Sequence, residues 1–325
     1  MSLPSRINVP IPKDEEGFIG RECPIKDCEG YFKIKPGTGL KGKDLPCHCA
    51  YCGHTASLDH FATKDQVEFV RSVAHRKLVD AFRDELKKLE FDIKPKGPFG
   101  IGISMKLKPG EPIALRRYRV RTLETHVSCS ECTLEYSVYG VFAFCPDCGN
   151  HNSFQILQKN IDLVGKQLSL AGNQGDQDLK RHLIEDALEN CVSAFDGFAR
   201  EACRIRAGVS ADPKACENLS FQSLPRAAKR VKSLFDLEMT DAIPREDWSA
   251  AHVAFMRRHV LAHRGGVIDQ QYLQETGESG HLLGRRISIS AADVERLAQT
   301  ALDLGCWLIE NLHSIGAQSK GGDGR

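Results

Sequence analysis

"CSECTLEYSVYGVFAFCPDCG", residues 129–149, decides how the first half of the chain folds. Cys129 and Cys132 form one Cys-x-x-Cys pair, and Cys145 and Cys148, followed by Gly149, form a second. The run between them, TLEYSVYGVFAF, is rich in β-branched and aromatic residues and reads as strand. A hairpin over that run brings the two corners together, and each corner offers two thiolates to one tetrahedral ion. Four thiolates close the coordination sphere and leave no position for a reactive water, so the zinc expected here is structural.

Toward the N-terminus the pattern recurs in looser form, as Cys23-Pro-Ile-Lys-Asp-Cys28 and then Cys49-Ala-Tyr-Cys52-Gly53-His54. Cys47 competes as a ligand here, and His48 or His54 are candidate substitutes. The Cys-x-x-Cys-Gly knuckle matches Cys145 to Gly149, which favours Cys49 with Cys52. The expected first site is therefore Cys23, Cys28, Cys49 and Cys52, and the cofactors expected are two structural zinc ions. These sets take eight of the thirteen cysteines. The other five (Cys47, Cys191, Cys203, Cys216 and Cys306) read as mostly buried small apolar residues.

The whole chain has 325 residues, 41% hydrophobic and 27% charged, with a net charge of +1. That is a soluble globular composition, long enough for more than one core. The near-zero charge gives no global attraction to nucleic acid or acidic membranes, so such contacts must come from local patches. The start, MSLPSRINVPIPKDEEGF, lacks the apolar run of a signal peptide, and no later stretch approaches the roughly 20 apolar residues of a membrane span. A cytoplasmic protein is expected, where thiols stay reduced and metal binding explains the cysteines better than disulfides.

Between the cysteine sets, residues 64–92 read as an amphipathic helix, with Val67, Val70, Ala74, Leu78, Phe82, Leu86 and Leu89 at three- and four-residue steps. KPKGPFG ends it. Residues 116–121 then read as a strand that places Arg117, Arg119 and Arg121 on one face, a candidate phosphate-binding patch. A solvated face paired with Glu124 or Glu131 reads equally well.

From about residue 159 the pattern becomes helical. Helices are expected over 176–206 and 222–237, after Pro244 through REDWSAAHVAFMRRHVLAH, and from an N-cap at Ser290 to about Ser314. The loop QETGESGHLLGRR is expected to be mobile, and the tail to be disordered. The expected organisation is α+β and multidomain: a first zinc ribbon (1–62), a connecting helix (63–95), a β-rich segment with the second ribbon (96–158), an all-α bundle (159–316) and a tail (317–325).

Within the bundle, FMRRHVLAHRGGVID (255–269) sets Arg257, Arg258, His259 and His263 just before a Gly-Gly stop. His259 and His263 have the spacing of a zinc-protease helix, but that chemistry needs Glu after the first histidine and Val260 stands there. The other pairing is Arg258 with His263, an Arg-x4-His arrangement. Spacing alone is weak, since Arg121 and His126 repeat it by chance.

RHVLAHRGGVIDQQYL resembles the signature of HEPN domains: Arg, a polar residue, three variable residues and His. The likeness extends to the long helix DQDLKRHLIEDALENCVSAFDGFAREA, to the AHRGGVID exit and to the final helix opened by ISISAADVERL, about half the chain. His259 stands where Asn is frequent, an accepted variant. The resemblance implies an HEPN-like helical bundle and a homodimer acting on RNA, either as a metal-independent ribonuclease or as an inactive RNA-binding or nucleotide-binding relative. It implies Arg258 and His263 as catalytic residues with His259 between them, in a setting such as stress response or antiphage defence, with a regulatory protein or nucleic-acid trigger as a further partner. Histidine suits proton transfer near neutral pH, and arginine can fork onto phosphate oxygens. Five residues of helix separate Arg258 and His263 by about 140°. One regular helix therefore does not set them side by side unless the Gly-Gly stop distorts its end, and the resemblance implies a dimer in which two copies of the motif share one cleft. The competing expectations are a binding module and an assembly scaffold.

Overall fold

The computed structural model describes residues 7–42, 45–88, 90–93, 103–105, 120–121 and 125–320. The chain divides into two compact units, Met1–Asn150 and His151–Arg325.

The first unit is built on strands. β1 (Ile19–Glu22), β2 (Tyr31–Ile34), β3 (Pro46–His48) and β4 (Thr55–Ser57) precede α1 (Lys64–Lys87). The short β5 (Phe91–Ile93), β6 (Ile103–Met105), β7 (Thr125–Ser128) and β8 (Glu135–Val138) follow it. One antiparallel sheet runs in the order β1-β2-β8-β7, while β3-β4 and β5-β6 are separate hairpins. The two ribbons expected as separate domains thus share a sheet, with Lys33 opposite Ser137 and Ile34 opposite Tyr136. The reason is that an isolated two-stranded hairpin is marginal in water and leaves open edges. Joining β2 to β8 buries Phe32, Tyr136 and Val138 in one core with Phe61, Val127 and Leu134, around the cysteines.

Helix α1 begins with a capping box. Gln66 N–H donates to the Thr63 hydroxyl and Thr63 N–H donates to the Gln66 side chain, both at 3.1 Å. The helix stops at Lys87, short of the expected residue 92, because Phe91–Ile93 pair with Ile103–Met105 instead. Its side chains Leu78 and Phe82 stay exposed. Arg117 and Arg119 lie outside the described residues. Val120 and Arg121 belong to no strand, and the Arg121 guanidinium lies 5.0 Å over the Tyr31 ring.

The second unit is helical: α2 (Ser153–Gly172), α3 (Gln177–Ile205), α4 (Pro213–Cys216), α5 (Leu224–Phe235), α6 (Arg245–Arg264), α7 (Gln270–Thr276) and α8 (Ala291–Lys320). The long α3 packs against α2, α6 and α8. Its buried stripe (Ile184, Leu188, Val192, Phe195, Ala199) meets Leu157, Ile161, Val164, Phe255, Leu297, Leu304 and Leu308 in one core. Asp176 caps α3 by accepting from the N–H groups of Asp178 and Leu179. The helical unit starts eight residues before the expected boundary of 159. The stripe Leu157, Ile161, Val164, Leu168 and Ala171 carries α2 back to Ser153. At the other end α8 continues to Lys320, past the expected stop near Ser314, since a single Gly316 costs a helix only about 1 kcal/mol. Residues 321–325 of the expected tail lie outside the described residues.

The loop expected to be mobile is tied down. Its first residues belong to α7, and Ile268 N–H to Arg285 carbonyl, Gly284 N–H to Ile268 carbonyl and Ile287 N–H to Gly266 carbonyl (2.9, 2.9 and 2.8 Å) fasten the rest. These bonds close over a satellite core of Val260, Ile268, Tyr272, Leu273 and Ile287. Of the five cysteines outside the ribbons, Cys306 alone is exposed. Among the described residues no helix is long and apolar enough to cross a membrane.

Candidate functional site

Each predicted cysteine set converges. Sγ–Sγ distances are 3.7 Å for Cys23–Cys52 and Cys28–Cys49, 3.7 Å for Cys129–Cys148 and 3.5 Å for Cys132–Cys145. Within each set all four sulfurs lie within 4.8 Å of one another. A tetrahedron with Zn–S bonds of about 2.3 Å requires sulfurs roughly 3.8 Å apart, so both sets fit structural zinc. The knuckles are local devices. Gly53 and Gly149 take φ of 69° and 72° and return their N–H groups to the Cys49 and Cys145 carbonyls. Thr133 does the same for Cys129 at φ 64°. Burial pushes the Cys23 and Cys132 thiols up to about 11. A divalent cation at the centre would bring such thiols to the thiolate form.

The three competitors for the first site take other roles. The Cys47 thiol is buried and pushed up to about 12 by that burial. The His48 Nδ1 meets the Thr55 hydroxyl at 2.9 Å. The His54 ring packs against Phe61, 6.3 Å between centroids.

In the helical unit, α6 carries the Arg-His stretch on its last two turns. It stays α-helical to Arg264, and Gly265 and Gly266 (φ 61° and 80°) then turn their N–H groups back to the Val260 carbonyl. The stop does not distort the helix enough to set Arg258 beside His263. Instead the rings of His259 and His263 come together, 4.7 Å between centroids and 52° apart in plane. His259 is held below its ordinary value, first by partial burial and then by His263, Arg258 and Arg264, with Asp269 opposing. It is therefore biased toward the neutral form at neutral pH.

Arg258 faces α3. Its Nη2 lies 3.4 Å from Glu189 Oε1 and its Nη1 3.4 Å from Gln222 Oε1. Its side chain is only 12% exposed, and the buried Nε–H has no hydrogen-bond partner among the described residues. Gln222 is placed by a fixed turn, because Phe221 N–H donates to the buried Asp196 carboxylate of α3 and the Phe221 ring stands edge-on to Phe195 at 6.0 Å. One α3 turn before Glu189, Glu185 accepts twice from Arg286 Nη2, at 3.1 and 3.2 Å.

Arg257 turns the other way. It reaches Tyr272 Oη (3.4 Å), Asp293 (3.1 Å) and Glu278 (3.3 Å), joining α6 to α7 and α8. On α3, Glu189 and Glu185 each hold an arginine from another part of the unit, while Asp186 lies 3.9 Å from His182. Sequence reasoning missed Gln222 and Arg286. They lie 36 residues before Arg258 and 101 residues after Glu185, so no local spacing marks them. Compared with family models, with curated proteins and with solved structures, the chain shows no significant match.

Proposed function

We propose that the His151–Arg325 unit is an HEPN-type endoribonuclease that cleaves RNA by attack of a 2′-hydroxyl on its own phosphodiester, without a catalytic metal. The observation that carries this reading is the constellation at the end of α6: a pair of adjoining histidines with tilted rings, one biased neutral, next to an arginine held by α3. A neutral His259 suits removal of the 2′ proton. His263, in the last turn of α6 beside it, is the group for donation to the 5′-oxygen leaving group. Arg258 meets the nonbridging oxygens as their charge grows. Since one helix keeps Arg258 and His263 on different faces, the reading takes two copies of α6 around a two-fold axis. In it the zinc-ribbon half selects the RNA or senses a trigger.

The test is cleavage of total tRNA and of a labelled RNA in EDTA. Wild type is expected to cut and leave 2′,3′-cyclic phosphate ends. Arg258→Ala and His263→Ala are each expected to lose at least about 100-fold in rate, the scale of general acid–base catalysis. Cutting untouched by either substitution overturns the site, and a monomer at micromolar concentration in light scattering overturns the shared cleft. A second reading, an RNA-binding module that does not cut, is favoured by the Arg258–Glu189 contact, which already occupies that guanidinium. Binding without cleavage in a folded dimer would decide for it.

A further inference from the structure

Resting on that reading of the site, we propose that Arg286 is a second phosphate-contacting arginine, and that Glu185 and Glu189 are place-holders which RNA phosphates displace. Two arginines from distant parts of the chain end on the same ridge of α3. Arg258 ends on Glu189, and Arg286 on Glu185 one turn earlier. Side chains four apart on a helix start about 5–6 Å from each other, so the two guanidiniums are held roughly one helical turn apart. That is a spacing suited to neighbouring phosphates of one strand rather than to a single phosphate.

Arg286 is also fixed to the histidine-bearing end of α6. Val267 and Arg286 form an antiparallel bridge directly after the Gly-Gly stop, and Ile287 N–H donates to the Gly266 carbonyl. Gly266 serves this turn through its φ of 80°, since a Cβ there would meet Leu261 and Arg286 only at ordinary contact distance. A loop that merely crossed the surface would not need its arginine anchored on both sides. Each guanidinium meets its carboxylate through one nitrogen, Nη2, and a phosphate offers anionic oxygens of the same kind to that group. Arg286 is half-exposed, so a strand can reach it without unfolding the loop.

The experiment is binding of a short fluorescein-labelled 2′-O-methyl RNA, which cannot be cleaved, followed by anisotropy over a salt series. Arg286→Ala is expected to weaken binding about tenfold and to flatten the log–log salt slope by about 0.7, the loss of one single-strand phosphate contact. Arg285→Ala removes the same charge one residue away and is expected to leave the slope unchanged. Glu185→Gln frees Arg286 and is expected to tighten binding about threefold. Equal slopes for Arg286→Ala and wild type, equal loss from Arg285→Ala, or weakening by Glu185→Gln to the level of Arg286→Ala would each overturn the assignment, the last marking the pair as purely structural. The nuclease reading fails separately. Absence of cleavage with these slopes intact sinks catalysis and leaves Arg286 standing, whereas absence of binding sinks both.

Discussion

Cys47 and Cys132 are both buried thiols of one core, yet only Cys132 has three sulfur neighbours. Cys132→Ser is expected to lower bound zinc from two ions per chain to one, while Cys47→Ser leaves two, as read by metal analysis of purified protein. Retention of two in the first or loss in the second would reassign the ligands. At Gly265 the strain is in the backbone alone: φ is 61° and no atom lies near a built Cβ. Gly265→Ala should therefore cost about 1 kcal/mol in urea unfolding, and an unchanged midpoint would contradict the left-handed stop. At this scale the cysteines were legible because ligand spacing is local chemistry, and the Cys-x-x-Cys-Gly turn singled out Cys49 over Cys47. The partners of Arg258 were not. Glu189 stands 69 residues away, and only the packing of α3 on α6 makes them neighbours.

On α3, Glu201 accepts from Arg204 at 2.7 Å twice and lies 3.4 Å from His151. Burial works to raise its pKa, but Arg204 and then His151 outweigh it and hold the carboxyl down at about 2, against an ordinary 4.5. A depressed carboxyl adds stability that is whole above about pH 4.5 and is lost as pH falls through about 2. With Arg204 half-exposed, the contribution is on the order of 1–2 kcal/mol. Glu201→Gln should flatten stability against pH between those values, and an unchanged acid limb would show that the ion pair is not felt. Element by element, α3, α5 and α6 were legible from apolar periodicity and caps. The start of α2 was readable too, in the stripe Leu157 to Ala171, although the expected boundary stood at residue 159. The loop 274–286 was expected to be mobile because its glycines and serines conceal the hydrogen bonds that fasten it over Ile268, Tyr272 and Ile287.

All eight cysteines of the two groups that could hold zinc lie in Met1–Asn150. Stripping zinc with a chelator in mild denaturant is therefore expected to unfold the strand-based unit while most helical circular dichroism stays, since structural zinc supplies folding free energy outright. Loss of both signals in one transition would mean that the units are not independent. The sharing of one sheet by both ribbons was the feature least legible in the sequence, because strand pairing across about 100 residues leaves no periodic trace. It has a consequence for how the protein is made. When β1 and β2 leave the ribosome, the strand β8 that will cover the free edge of β2 is still untranslated. At about 5–20 residues per second, β2 waits roughly 5–20 s for its neighbour. For that interval its backbone N–H and C=O groups are open to any other nascent strand, so slow elongation between residues 35 and 135 should raise co-translational aggregation, and zinc limitation should raise it further.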